Sequence, residues 1–357
     1  MPKIRVLVIE DSLTVRKRLV EVIAADADLE VVAEGGNGRE AIELCRTLRP
    51  DVITLDMHLP VMDGVSATEH IMGHFPTPIL IVSSSTNRGD LFKTYDALAA
   101  GAVDVLEKPQ ADDAEGVWER KFLAAIKLVS RIRVITHLRA RLGGSGIALA
   151  KRAEAAAALQ PQSGGQPRSI VAIGASTGGP GALVEVLRGI PTDFPAALLI
   201  VLHIDELFSS AFADWLAAQT AHPVAYARGG ELLSNAKGRV FMAPPGRHLA
   251  VRAGKLCLNS DPERHSCRPS VDVLFESLAV ESPRDVVACL LTGMGRDGAE
   301  GLLALRRAGA YTIAQDEATS IIYGMPREAA ILGAAERILP LGEIGATISR
   351  ISAKGSG

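Results

Sequence analysis

The sequence predicts an α/β protein made of two doubly wound parallel-sheet domains joined by a linker. Three observations carry this expectation. Short β-branched and aliphatic runs alternate with helical patterns from Ile4 to about Ala125, the same alternation resumes at Ser169, and a basic, Ala-rich stretch broken by glycines lies between them. The boundaries so read are residues 1–125 for the first domain, 126–168 for the linker and 169–357 for the second domain.

In the first half the runs are 4–9, 30–33, 51–55, 78–82 and 102–106. Five such strands with helices between them imply a parallel sheet covered on both faces. The linker mixes helix formers, as in 151–158, with flexible punctuation such as Gly143-Gly144-Ser145-Gly146, and so reads as a partly helical tether. In the second half apolar runs at 169–173, 197–202, 285–291 and 310–314 predict another doubly wound sheet. Ligands of such sheets collect at the carboxyl ends of the strands.

Composition narrows the function classes. A chain of 357 residues with 48% apolar and 22% charged residues has the make-up of a soluble two-domain protein, which sets membrane and disordered classes aside. The net charge of −3 and the lack of basic stretches interleaved with aromatics argue against nucleic acid, so a protein partner or small substrate is expected. Cys45, Cys257, Cys267 and Cys289 are scattered without a Cys-x-x-Cys pair, so they read as reduced thiols. His265 and Cys267 lie close in sequence, but without a second pair of ligands they do not predict a metal site. The amino terminus runs into a strand, and no apolar stretch is long enough to span a bilayer. The expectation is a cytoplasmic protein with no membrane insertion.

Acidic and basic groups mark the strand ends of the first domain. Glu10 and Asp11 follow the first run, Asp56 ends the third, Ser83 follows the fourth and Lys108 comes just after the fifth, so a parallel sheet brings all five to one rim. Three carboxylates together suit a hard cation such as Mg2+, and a lysine opposite balances the charge of an incoming phosphoryl group. In this order, and with Met57-His58-Leu59-Pro60-Val61-Met62-Asp63-Gly64 after Asp56, the domain resembles a response-regulator receiver. The resemblance implies a flavodoxin-like fold with Asp56 as phosphoacceptor. It further implies that Glu10, Asp11 and Asp56 hold Mg2+ and that Ser83 and Lys108 contact the aspartyl phosphate. Receivers usually carry an aromatic residue three places before the lysine, where this chain has Val105.

The second domain opens with an apolar strand running into Gly174-Ala175-Ser176-Thr177-Gly178-Gly179, a Gly-x-Ser-x-Gly elbow that raises a serine on a strand-to-helix turn. Serine needs a nearby base and donors for the developing oxyanion. Gly174 and Gly178 are expected to permit the turn, and the helix from about Gly179 aims N–H groups at negative charge, with Thr177 as one oxyanion donor. A dinucleotide loop is the alternative, but the spacing is not Gly-x-Gly-x-x-Gly and no acidic ribose clamp ends the next strand. That strand ends in Leu202-His203-Ile204, which places a base at the rim. In Leu291-Thr292-Gly293-Met294-Gly295-Arg296-Asp297-Gly298, Asp297 is the carboxylate to orient His203, and Met294 offers a second backbone N–H.

The chain order Ser, His, Asp is not that of α/β-hydrolases. The three segments, with Arg268-Pro269-Ser270-Val271-Asp272 and Gly324-Met325-Pro326-Arg327-Glu328-Ala329, resemble the catalytic domain of chemotaxis-type receptor methylesterases, the CheB family. The resemblance implies a Rossmann-like domain that hydrolyses glutamate γ-methyl esters of methyl-accepting chemoreceptors, releasing methanol, and deamidates receptor glutamines. Ser176 is then the nucleophile, His203 the base and Asp297 its orienting acid, with Arg268 carried over as a substrate contact. A chemotaxis-type histidine kinase is the implied phosphodonor, the catalytic domain needs no cofactor, and the chain is expected to be a monomer. The rival reading is a non-enzymatic regulator that binds receptors or a kinase, and the three filled triad positions argue against it.

Overall fold

The computed structural model describes residues 2–84, 87–109, 116–132, 134 and 168–352. Alternation along the strands decides the architecture of the first domain. In the run Ile4–Ile9, Leu7 and Ile9 face one side and Val6 and Val8 the other, and all four are buried, so both faces require a helical layer. The elements are β1 (Ile4–Ile9), α1 (Leu13–Ala24), β2 (Leu29–Gly35), α2 (Gly38–Leu48), β3 (Val52–Leu55), α3 (Gly64–His74), β4 (Ile79–Ser83), α4 (Arg88–Ala99), β5 (Asp104–Glu107) and α5 (Val117–Val129). The strands pair in parallel in the order β2-β1-β3-β4-β5. Helices α2, α3 and α4 cover the Leu7 face, and α1 and α5 the Val8 face.

Helices α1 to α4 start with a side-chain cap: Ser12, Asn37, Asp63 and Asn87 each accept a backbone N–H of the first turn, so these helices begin where the sequence leaves the sheet rim. Helix α5 runs past the expected boundary at residue 125. Ile126 and Val129 are buried in the first domain's core, so packing rather than composition decides where the helix ends. The Gly-rich and Ala-rich parts of the expected tether lie outside the described residues.

The second domain contains β6 (Ile170–Ala175), α6 (Gly179–Arg188), β7 (Ala197–Leu202), α7 (Glu206–Ser209), α8 (Phe212–Gln219), β8 (Val224–Tyr226), β9 (Val240–Met242), β10 (His248–Arg252), β11 (Lys255–Asn259), α9 (Val271–Glu281), β12 (Val286–Leu290), α10 (Ala299–Ala308), β13 (Tyr311–Gln315), α11 (Met325–Ile331), β14 (Arg337–Leu339) and α12 (Leu341–Ser352). Seven strands form a parallel sheet in the order β14-β13-β12-β6-β7-β9-β8, and β10 and β11 form a separate antiparallel hairpin. The chain leaves β6 toward β7 on one side and returns to β12 on the other. The crevice beyond the carboxyl ends of β12, β6 and β7 is thus the switch point at which such sheets bind ligands. Among the described residues no helix is long and apolar enough to cross a membrane.

Helix α4 of the first domain joins the second domain's core. Leu91 and Tyr95 are buried in the same cluster as Val171, Leu183 and Trp215. The Tyr95 ring meets Phe212 edge-on at 5.2 Å, and its hydroxyl donates to the carbonyl of Phe208. Asp96 accepts from Trp215 Nε1 at 2.8 Å and from Gln219 Nε2 at 3.2 Å, and Arg88 pairs with Asp214 at 2.9 Å. Gly181 of α6 lies against Ala99, where a Cβ would sit 3.2 Å from the Ala99 carbonyl oxygen.

The two glycines of the elbow have different causes. Gly178 adopts a left-handed conformation (φ 78°), as the turn requires. Gly174 lies inside strand β6, and what excludes a side chain there is Val271 of α9: an added Cβ would come within 2.4 Å of its Cγ1. Gly174→Ala is therefore expected to destabilise the protein by about 1–3 kcal/mol through overpacking. Urea unfolding followed through the second domain's tryptophan, Trp215, checks this: the midpoint falls with an unchanged slope, and an unmoved midpoint contradicts the packing argument.

Candidate active site and acidic pocket

The first domain's rim gathers the five expected residues. Glu10 and Asp11 follow β1, Asp56 follows β3, Ser83 ends β4 and Lys108 follows β5. Lys108 Nζ lies 2.8 Å from Glu10 Oε2 and 2.9 Å from Asp56 Oδ2, and Asp56 Oδ1 accepts the backbone N–H of Met57 at 2.7 Å. Burial raises the pKa of Glu10, with Lys108 opposing and Asp56 adding to the shift. Burial also works against the Lys108 charge, but its hydrogen bonds to Glu10 and Asp56 hold its pKa above the ordinary lysine value.

Carboxylate oxygens of Glu10, Asp11 and Asp56 lie within 4.8 Å of one another, an all-oxygen set of the kind a hard divalent ion takes. The Ser83 hydroxyl is buried and has no hydrogen-bond partner among the described residues, which leaves a donor beside Asp56's strand. One link had no sequence signal. His58, two residues after Asp56, places Nε2 2.7 Å from Asp90 in the first turn of α4, the helix that packs on the second domain. Val105 is half-buried and packs against the cores of both domains.

In the second domain, Ser176 leaves the end of β6 with its backbone N–H donated to the Thr292 carbonyl at 3.0 Å. The turn closes through Gly179 N to Ser176 O at 2.6 Å, and α6 begins there. His203 follows β7, the neighbouring strand, with Ala175 paired to Leu202 just before the two side chains emerge. No hydrogen bond joins Ser176 to His203 among the described residues. Thr292 ties the loops together, its hydroxyl donating to the Thr177 carbonyl at 3.0 Å and accepting from Ile322 N at 2.9 Å. Among the described backbone hydrogen bonds, the N–H groups of Thr177 and Met294 donate to no other backbone group.

Asp297 is 2% exposed and takes four donors. Its Oδ2 lies 2.9 Å from His203 Nε2 and accepts from Val271 N at 2.7 Å, while Oδ1 accepts from Ser270 Oγ at 2.7 Å and Asp272 N at 3.2 Å. Burial alone would raise its pKa, but His203 and the donors of the Ser270 turn hold it below the usual carboxylate range. Asp297 is therefore the acceptor, which places a proton on His203 Nε2 in both charge states of the ring and leaves Nδ1, the nitrogen that titrates, facing Cys267. Burial pulls His203 toward the neutral form, but its hydrogen bonds to Asp297 and Cys267 outweigh this and hold its pKa at about 9.

Several supports of the site escaped the sequence reading. Ser270 caps α9, accepting from Val273 N while donating to Asp297, and its own N–H donates to Nδ1 of the buried His248 at 3.1 Å. Cys267, expected near His265, places Sγ 3.8 Å from His203 Nδ1. His265 instead accepts from Arg296 Nε at 3.2 Å and approaches Asp272, a buried acid whose pKa burial raises to about 6. Arg268 is half-buried and donates to the Asp261 carbonyl at 3.2 Å. Ser270 and Thr292 lie inside motifs visible in the sequence, and that was the only signal that marked them.

Residues 171–348 match the CheB methylesterase family model and residues 6–115 the response regulator receiver domain. A protein-glutamate methylesterase/protein-glutamine glutaminase of Anaeromyxobacter dehalogenans is 44% identical, with 96% of this chain and 95% of that one covered. One of the same name from Nitrosospira multiformis is 42% identical, with 98% of each covered. The crystal structure of the Thermotoga maritima CheB methylesterase catalytic domain is 32% identical with a TM-score of 0.49, covering 51% of this chain and 98% of that one. With a receiver domain ahead of a methylesterase domain, and relatives alike over nearly its whole length, the chain belongs to the CheB methylesterase family.

Proposed function

We propose that this protein hydrolyses γ-methyl esters of glutamate side chains on methyl-accepting chemoreceptors, and the side-chain amide of receptor glutamines, at a Ser176-His203-Asp297 triad switched by phosphorylation of Asp56. The observation that carries this reading is the buried Asp297, which accepts a hydrogen bond from His203 Nε2–H beside the end of the strand that presents Ser176. Both activities are in the names of relatives alike over 95% or more of this chain.

In the neutral form of the ring, His203 Nδ1 takes the proton of Ser176 Oγ as it attacks the ester carbonyl, and the imidazolium is stabilised by Asp297. The N–H groups of Thr177 and Met294 receive the developing oxyanion, which forms where α6 also directs its amino end. Collapse expels methanol, or ammonia from an amide, with the proton returned by His203. Water then enters by the same base, and glutamate is released from Ser176. Arg268 serves as a substrate contact. One chain holds all three groups, so a monomer suffices, and a cytoplasmic location matches the cytoplasmic helices of the receptors.

The phosphoryl group comes from a chemotaxis-type histidine kinase to Asp56. Glu10, Asp11 and Asp56 would hold Mg2+, which when bound neutralises charge on the transferring group. Lys108 pairs with the phosphoryl oxygens, and the unpartnered Ser83 hydroxyl donates to one. The domains are residues 1 to about 130 and 169–357. Helix α4 is the lever between them: its first turn is tied to His58 near Asp56, and its far end lies on α6, the helix that follows the serine elbow. Phosphorylation thereby shifts the population from a restrained elbow to an open one.

Ser176→Ala is expected to cut methanol release from methylated receptor membranes by at least about 10³-fold, and retention of the parent's rate removes the nucleophile. Asp56→Asn is expected to abolish the acceleration that a small phosphodonor produces in the parent. A donor response that survives the substitution contradicts gating through Asp56.

A further inference from the structure

Two clusters of ligand-type side chains flank Asp297: His203 with Cys267, and His265 with Asp272. In the second cluster the groups lie against charged or polar neighbours. His265 Nδ1 accepts from Arg296, its Nε2 lies against Asp272, and Asp272 also accepts from Gly301 N and faces Arg264. In the first cluster one strong donor atom is open. Asp297 holds a proton on His203 Nε2, so Nδ1 is the nitrogen that exchanges a proton for a ligand, and the atom it meets is the Cys267 sulfur at 3.8 Å.

That spacing is the one a shared metal ion needs. A cation at ordinary zinc distances, about 2.0 Å from the nitrogen and about 2.3 Å from the sulfur, subtends an angle of about 120° across such a gap, near the tetrahedral value. Imidazole and thiolate together select borderline-soft ions over Mg2+ or Ca2+. A histidine that donates its second ring N–H to a buried carboxylate is the arrangement that orients metal ligands. Asp297, already satisfied by the Ser270 turn, supplies it here. Cys267 is half-exposed, and among the described residues its S–H has only the His265 carbonyl at 3.4 Å as a competing acceptor.

We propose that His203 Nδ1 and Cys267 Sγ form an inhibitory site for a divalent ion of the zinc class. On binding, the thiol proton and, from the charged ring, the Nδ1 proton leave to solvent, the thiolate and the Nδ1 lone pair coordinate the ion, and the Nε2–H···Asp297 hydrogen bond stays intact. Water fills the remaining positions. The ion occupies the lone pair that would accept the Ser176 proton, so binding and hydrolysis exclude each other. The inhibitory part rests on His203 as the base, whereas the binding part does not.

The full chain is titrated with Co2+, whose bond to thiolate gives a near-ultraviolet charge-transfer band, and methanol release is assayed with added Zn2+. The band is expected in the parent, in Ser176→Ala and in Cys257→Ser, and its loss is expected in Cys267→Ser. Each enzyme is compared with its own metal-free rate, and Cys267→Ser is expected to need at least about tenfold more Zn2+ for half inhibition. Zn2+ is also expected to slow alkylation of Cys267 in the unaltered chain, read by mass spectrometry, which requires no variant to fold. No band in the parent, equal Zn2+ sensitivity in Cys267→Ser, or alkylation unchanged by Zn2+ overturns the proposal. A parent that shows the band yet releases no methanol refutes the esterase reading and leaves the metal site standing.

Discussion

The geometry of the second domain depends on one buried carboxylate. Asp297 is almost wholly withdrawn from water, and an ionised acid in that position is tolerated only if it is fully hydrogen-bonded. Two of its four donors are backbone N–H groups at the start of α9, Val271 and Asp272, so the positive end of an 11-residue helix is aimed at it. A third is the hydroxyl of Ser270, the residue that caps the same helix. The fourth is His203. The chain meets these demands by bringing the β12 loop, the α9 cap and the β7 end to one point, with His248 of the hairpin holding the Ser270 backbone in place.

The same logic of shared packing joins the two domains. Helix α4 covers one face of the first sheet through Ala97 and Leu98, and lends Leu91 and Tyr95 to the core behind the serine elbow. An element with one face in each core cannot shift without disturbing both, because close-packed interiors deform in steps rather than continuously. The His58 to Asp90 pair puts the near end of that helix beside the acidic pocket. The proposed lever therefore does not need an aromatic residue where Val105 stands.

Much of this was legible in the sequence, for physical reasons. Strands buried on both faces must be continuous apolar runs, so β1, β3, β4, β6, β7, β12 and β13 announce themselves. Parallel pairing then sends Glu10, Asp56, Lys108, Ser176, His203 and Asp297 to strand ends, where chemistry is expected. What stayed hidden depends on partners distant in sequence. The three-residue strands β8, β9 and β14 are too short to carry a period. Cys267 meets His203 across 64 residues, and Tyr95 reaches Phe208 across 113. Gly174 reads as a turn residue because its motif implies one, although Val271, brought against it by the fold, is what forbids a side chain.

If Asp297 governs the site, the state of the His203 ring reports it. The contact with Asp297, with Cys267 adding to it, overcomes burial and raises the imidazole above its ordinary value of 6.5, to about 9. The stability it contributes is therefore fully present below pH 6.5 and is lost as pH rises through about 9. The direct measurement is a pH titration of the His203 ring by nitrogen-15 NMR in the full chain. The account predicts a midpoint near 9, with the neutral ring protonated at Nε2 and bare at Nδ1. A midpoint at or below 6.5, or a neutral ring carrying its proton on Nδ1, would contradict it.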